Sequence, residues 1–432
     1  MATISSVLER RERVVPRGVA RLNDLVVERA EGARLHTADG RAVLDFATGI
    51  AVMSVGHCHP RVVERTAEQL ARLQHVCFHV ATYEPYVALC ERLAELVPHG
   101  DRTKAMLVST GAEAVENAIK IARSATRRSA VIAFSEGFHG RTLLGATLTS
   151  KTATKRHVGP LAPEVYRVPF PNRFLRGDGL AEGPFVAREL ERLERAFTTL
   201  VAPDDVAAIL VEVVQGEGGF VPCPTEYLRG LRRLCDHHGI LLVFDEIQTG
   251  FGRTGAWGAF QHAGVVPDLS TWAKAMGGGL PVAAVVGRAE VMDAPEPGIL
   301  GGTFGGNPVA CASALATLEV MQAEDVCGRA GRLGERIHAR LAALRAQVPA
   351  VAEVRGLGAM QAFELCEGGD PRRPRGDLAA QVVQRCLARG LLLLTAGVAG
   401  NVVRLLPPLL LGDDELDVAL DTLEESVRAA CA

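Results

Sequence analysis

Residues 241–280 read LLVFDEIQTGFGRTGAWGAFQHAGVVPDLSTWAKAMGGGL, and the rest of the chain is organised around them. An apolar run, Gly239-Ile240-Leu241-Leu242-Val243-Phe244, stops abruptly at the charged pair Asp245-Glu246. A short apolar run bounded by glycine and charge reads as a buried parallel strand whose C-terminal end opens into a site. Glycines at 250, 252, 255 and 258 then let the backbone turn closely around a partner. Further on, Lys274 stands in apolar company just before Gly277-Gly278-Gly279. Desolvation disfavours an ammonium and lowers its pKa, which turns a lysine into a nucleophilic amine suited to a Schiff base with an aldehyde cofactor. A strand-end aspartate and such a lysine are the pair a pyridoxal phosphate enzyme requires, because the carboxylate keeps the pyridine nitrogen protonated and the ring able to accept electrons. Each residue alone also has a plain structural reading, Asp245 as a strand-end carboxylate and Lys274 as a snorkelling surface lysine.

Composition narrows the classes. With 432 residues and 48% hydrophobic content the chain can bury a large core, and two domains are expected. A net charge of −3 with no basic run gives no electrostatic case for nucleic acid. The most apolar tract, 391–411, is broken by Gly397, Gly400, Arg404 and Pro407-Pro408, so it does not read as a membrane span. Ten cysteines without a C-x-x-C spacing, and an N-terminus charged by residue 9, read as reduced thiols in a cytoplasmic protein. His57-Cys58-His59 looks metal-like, but one extended segment cannot converge on an ion without a ligand from elsewhere, and no metal site is expected.

Residues 22–46 read as short strands with an Asp39-Gly40 turn, and 60–97 carry helical periodicity. From about 104 to 300, apolar runs alternate with helical patterns, which argues for a mostly parallel sheet covered on both faces. Five segments carry candidate chemistry. Ser109-Thr110-Gly111-Ala112-Glu113 feeds a helix start, where free N–H groups form an anion site or where Ser109 or Thr110 simply caps the helix. Phe138-His139-Gly140-Arg141 offers an aromatic ring and a carboxylate clamp. Glu212 and Glu217 follow an apolar strand. The loop 301–308, GGTFGGNP, is a second phosphate candidate. Arg404 lies within an apolar strand and needs an anionic partner.

Together, SxGxEAxENAxKxAR, FHGRT, QGEGG, DEIQTGFGRTG, WAKAMGGG and GGTFGGNP resemble the class III pyridoxal phosphate aminotransferases, and within them the bacterial 4-aminobutyrate–2-oxoglutarate aminotransferases. The similarity runs almost end to end. It implies an α/β fold of fold-type I, with a seven-stranded, mostly parallel sheet in a large cofactor domain (60–309) and a small α+β domain from both termini (1–59 and 310–432). It also implies a homodimer, or a dimer of dimers, with sites at the subunit interface.

By the same resemblance Lys274 is the Schiff-base and proton-shuttling lysine, Asp245 pairs the pyridine nitrogen, and Gln248 sits by the ring's phenolic oxygen. Gly111 and Ala112 bind the phosphate, Thr303 reaches it from the neighbouring subunit, Phe138 stacks on the ring, and His139 and Glu212 belong to the ring's surroundings. Ile50 shapes the substrate pocket. Arg141 holds the carboxylate distal to the reacting amine, Arg404 takes the α-carboxylate of glutamate, and Glu217 neutralises Arg404 when no α-carboxylate is present. The implied reaction is ping-pong transfer from an ω-amino acid, 4-aminobutyrate first, to 2-oxoglutarate. The alternatives are a glutamate-dependent enzyme acting on another ω-amine or aldehyde, such as 5-aminovalerate or an amino sugar, and a racemase on the same scaffold. Two residues depart from the pattern: Phe138 stands where relatives usually have tyrosine, and Val213 where they have proline.

Overall fold

The computed structural model describes residues 4–431. Its centre is a seven-stranded sheet in the order Thr103–Val108, Ala283–Arg288, Leu269–Trp272, Leu241–Asp245, Val206–Val211, Ala130–Phe134, Val165–Val168. All strands run parallel except Ala283–Arg288, which is antiparallel to both neighbours. Strand side chains alternate between faces, so a strand covered on both sides must be apolar at every position. Val131, Ala133, Ala208, Leu210, Leu241 and Val243 pack on one face with Val115, Ile119 and Ala122 of the helix Gly111–Thr126. Ile132, Phe134, Ile209, Val211, Leu242 and Phe244 pack on the other, with Phe185 and Leu193 of Glu182–Thr199 and Tyr227 and Leu231 of Thr225–His238. Phe244 is fully buried in this layer, and truncating it to alanine would cost about 3–5 kcal/mol.

Both ends of the chain meet in a second sheet, where Leu391–Leu392 pairs in parallel with Ala42–Asp45 beside Arg34–Thr37 and Val27–Glu31. A third sheet orders Val351–Leu357, Met360–Leu365, Val402–Leu405 and Leu394–Ala396, and Arg404 stands in it opposite Ala362 and Leu394. The tract 391–411 is therefore short strands and turns. Among the described residues no helix is long and apolar enough to cross a membrane.

One local expectation differs in detail. Of the glycines after Asp245, Gly250 and Gly258 close on a side chain of the protein itself: a Cβ on them would lie 2.6 and 2.9 Å from the Trp272 ring, which is fully buried. Asp245 and Glu246, the charged pair that ends the apolar run, point to different partners. Glu246 accepts the N–H groups of Ala259 (3.0 Å) and Phe260 (2.8 Å) and the Thr249 hydroxyl, and so closes the loop that follows the strand. Burial pushes its carboxyl up to about 7 despite these donors.

Candidate active site

Open parallel sheets place ligands beyond the carboxyl ends of their strands, because the following loops diverge there. Here Gly111, Phe138, Glu212, Asp245 and Lys274 all lie at or just beyond C-terminal ends of parallel strands and line one cavity of about 560 Å³. Buried Asp245 receives the Thr271 hydroxyl (3.2 Å) and the Ile247 N–H (3.2 Å) on Oδ1, and meets His139 Nδ1 at 2.7 Å with Oδ2. Burial alone would lower the His139 pKa, but the Asp245 carboxylate, with Glu212 behind it, outweighs burial and raises it. The result is a buried carboxylate held in one orientation.

Glu212 binds two loops together, accepting the N–H of Phe138 at 2.8 Å and of Gly216 at 2.7 Å. Its pKa is raised to about 7 by burial, with Asp245 adding repulsion and His139 opposing it. Lys274 follows Leu269–Trp272 with φ at +51°, a backbone conformation that a non-glycine residue holds only when its surroundings impose it. Burial lowers its pKa to about 8, against the pull of Glu217, Asp245 and Glu212 towards the charged form. The amine is thereby brought within reach of its nucleophilic state near neutrality.

The helix Gly111–Thr126 begins with a capping box. Thr110 Oγ1 accepts the Glu113 N–H at 3.2 Å, and Glu113 Oε2 accepts the N–H groups of Ser109 and Thr110 at 2.8 Å each. That leaves the N–H groups of Gly111 and Ala112 for an anion, at the positive end of the helix dipole. Thr110 caps the helix while its neighbours stay open. A Cβ on Gly111 would lie 2.8 Å from Ile247 Cδ1, so the approach to this helix end depends on glycine.

At the mouth Arg141 is exposed, with its guanidinium carbon 5.8 Å from the Phe138 ring centroid, and makes no ion pair among the described residues. Buried Arg404 does not line the cavity; its Nη1 binds Glu217 Oε1 at 2.5 Å, and Glu217 does line it. The Arg404 Nε is buried without a partner, and so is the Gln248 Oε1. Burial would raise the Glu217 carboxyl, but Arg404 overcomes this and holds it below its ordinary value. Ile50 also lines the cavity. Thr303 lies on the exposed loop 301–304, outside this chain's cavity, and Asn307 caps the following helix Pro308–Ala323 by accepting the Val309 and Ala310 N–H groups. That helix end is closed to a phosphate of the same chain. Nor do His57 and His59 converge, since His57 turns to Asp45.

A buried oriented carboxylate, a desolvated amine, two open N–H groups at a helix start and a flat ring at the wall fit the nitrogen, aldehyde, phosphate and face of pyridoxal phosphate. The unpaired Gln248 oxygen gives the group a further polar neighbour. Fold and site together define a pyridoxal phosphate enzyme of fold-type I. Comparison with known proteins is more specific. The family model described as aminotransferase class-III matches residues 14–427. The chain is 46% identical to the 5-aminovalerate aminotransferase of Pseudomonas putida and 44% identical to the 4-aminobutyrate aminotransferase of Escherichia coli, each over 98% of both chains. It superposes with a TM-score of 0.89, at 30% identity over 97% of both chains, on an amine transaminase from an uncultivated Pseudomonas species in its PLP-bound form. The chain belongs to the class III aminotransferases. It is a pyridoxal 5'-phosphate-dependent enzyme that exchanges an amino group between an amino donor and an oxo acid.

The sequence alone does not reveal Thr271, whose hydroxyl donates to Asp245, or settle the capping role of Glu113. The Thr110-x-x-Glu113 spacing is a readable capping-box signal, whereas nothing local marks Thr271.

Proposed function

We propose that this enzyme transfers the amino group of an ω-amino acid, 4-aminobutyrate, to 2-oxoglutarate, giving the semialdehyde and glutamate. The cofactor supplies an electron sink for the carbon losing its proton. In this reading Lys274 Nζ carries that proton between two carbon positions, and Asp245, fixed by His139 and Thr271, keeps a proton on the ring nitrogen. Phe138 covers one ring face, Gln248 faces the phenolic oxygen, and Glu212 holds the surrounding loops. Gly111 and Ala112 bind the phosphate, joined by Thr303 of a second copy, which agrees with the exposure of Thr303 and of Val80, Ile299 and Phe304 in one chain. The assembly is a homodimer of cytoplasmic chains, each with a cofactor domain at 60–309 and a small domain from 1–59 and 310–432.

The observation that carries this reading is the Glu217–Arg404 pair at a cavity also lined by Arg141, which makes no ion pair among the described residues. Such an enzyme alternates between a substrate with one carboxylate and a substrate with two. Arg141 is free for the carboxylate both share, and Arg404 already holds an anion that the α-carboxylate of glutamate can replace, so the charge is never left bare. Arg404→Gln is expected to lower kcat/KM for glutamate more than for 4-aminobutyrate, whereas Arg141→Gln lowers both. Equal losses in Arg404→Gln would refute the two-arginine reading.

A donor one methylene longer is the second reading, favoured by the 5-aminovalerate relative. A single methylene discriminates only about 1–3 kcal/mol in a pocket, so both donors are compared directly.

A further inference from the structure

The turn Thr48–Ala51, of which Gly49 and Ile50 line the cavity, is built in an unusual conformation. Four consecutive residues lie in the left-handed region, with φ of +46° at Thr48, +62° at Gly49, +67° at Ile50 and +63° at Ala51. Only glycine takes this conformation freely, and the β-branched Thr48 and Ile50 tolerate it least. Such a turn persists where its surroundings over-determine it.

Ile50 and Ala51 donate to the Ala47 carbonyl at 2.8 and 3.1 Å and Ala51 is buried, and a further restraint comes from outside the cavity. Asp45 is 2% exposed, and its Oδ1 accepts the N–H groups of Ala47 (3.0 Å) and Thr48 (2.8 Å) at the entry to the turn. Its Oδ2 meets His57 Nε2 at 2.9 Å, beyond the exit of the turn. The His57 backbone is locked by reciprocal hydrogen bonds with Gly32, at 2.8 and 3.0 Å. One carboxylate therefore ties the start of the turn to a fixed point after its end. Ile50 itself is 39% exposed and lines the cavity, so core packing does not hold its side chain in place. Asp45 and His57 do not line the cavity.

We propose that Asp45 and His57 are positioning residues that hold the left-handed turn Thr48–Ala51, so that Ile50 sets the length of donor the cavity accepts. The proposal rests on the reading of this cavity as the site of an ω-amino acid. An isoleucine fixed against the methylene chain of a donor admits or rejects one further methylene, whereas a turn free to relax does not.

The test uses holoenzyme of His57→Ala, His57→Gln, Ile50→Ala and the His57→Ala/Ile50→Ala pair. The readouts are the visible band of the bound cofactor and kcat/KM for β-alanine, 4-aminobutyrate and 5-aminovalerate. His57→Ala is expected to keep the band and to shift the 5-aminovalerate to 4-aminobutyrate ratio roughly fivefold or more. His57→Gln, which can still donate to Asp45, restores the ratio. In the Ile50→Ala background His57→Ala shifts the ratio no further, because residues that act through one another are not additive. An unchanged ratio, or the same shift in both backgrounds, overturns the proposal. Should His57→Ala fail to fold, Asp45→Asn keeps an oxygen for Ala47 and Thr48 but weakens the His57 pair. It is then expected to shift the ratio in the same direction, and no shift is the overturning result. If the native enzyme uses neither 4-aminobutyrate nor 5-aminovalerate, the functional reading fails separately. The ratio is then read on any two active donors that differ by one methylene.

Discussion

Replacing Glu217 by glutamine changes the charge beside Arg404 while keeping the volume of the side chain. The backbone around it is pinned: Gly216 N–H binds Glu212 (2.7 Å), Gly397 N–H binds the Glu217 carbonyl (2.9 Å), and Arg355 Nε binds the Gly219 carbonyl (2.8 Å). Arg355 is in turn fixed by Glu353 and Glu364, so the loop is not expected to collapse in the variant. What is lost is the charge of a hydrogen bond to a guanidinium whose side chain is 5% exposed and whose Nε already lacks a partner. Hydrogen bonds to charged groups contribute about 1.5–3 kcal/mol, and because the Glu217 side chain is 33% exposed the lower half applies, about 1.5–2 kcal/mol. That corresponds to roughly 10–30-fold in kcat/KM for 4-aminobutyrate, which brings no α-carboxylate to take the place of Glu217. Glutamate brings its own α-carboxylate and no longer has to displace the resident one, so its kcat/KM is expected to hold or rise. Steady-state kinetics with both donors, with the cofactor band checked for occupancy, reads the ratio. Equal losses for the two donors would refute the reasoning, because they would mean that Glu217 acts on a step common to both.

Three further outcomes follow from the geometry. Lys274, lowered from 10.5 to about 8 by burial, is expected to make cofactor capture by the apoenzyme rise with pH about a midpoint near 8. At pH 7.5 that places roughly 200-fold more of the amine in its neutral form than an ordinary lysine would have. Because the unfolded chain binds the extra proton between pH 8 and 10.5, apoenzyme stability attributable to this group rises across that window and is lost as pH falls through 8; a capture midpoint near 10.5 would contradict the burial argument. Lys274→Ala is expected to abolish the lysine-linked absorbance band and turnover, and a retained band would remove Lys274 from its role. In Gly140→Ala a Cβ would lie 2.8 Å from Ala112 Cβ at a φ of +115°, so destabilisation of about 1–3 kcal/mol and faster cofactor loss on dialysis are expected; unchanged retention would place the phosphate elsewhere.

The sheet was legible in the sequence because burial on both faces leaves short apolar runs such as AVIAF and LLVFD, too short for helices and set between helical patterns. Asp245 and Lys274 were legible because the first charge after such a run, and one lysine among apolar residues, are chemically out of place. What stayed hidden depends on long-range approach. Nothing near Gly219 announces that Arg355, 136 positions away, holds the loop that carries Glu217, and nothing near Asp45 announces His57 as its partner. The turn at Thr48–Ala51 opposes local preference outright, since Thr48 and Ile50 argue for extended backbone where the chain turns left-handed. Nothing next to Glu246 marks it as the residue that closes the following loop, which it does through the N–H groups of Ala259 and Phe260.

The most direct measurement is a rapid-mixing half-reaction with purified holoenzyme and a single donor, following loss of the cofactor's visible band. If Arg141 and the Glu217–Arg404 pair serve substrates with one and with two carboxylates, both 4-aminobutyrate and glutamate convert the bound cofactor fully, each in the absence of the other. Conversion by glutamate alone would contradict transfer from an ω-amino acid and leave a glutamate-dependent aminotransferase with a different acceptor.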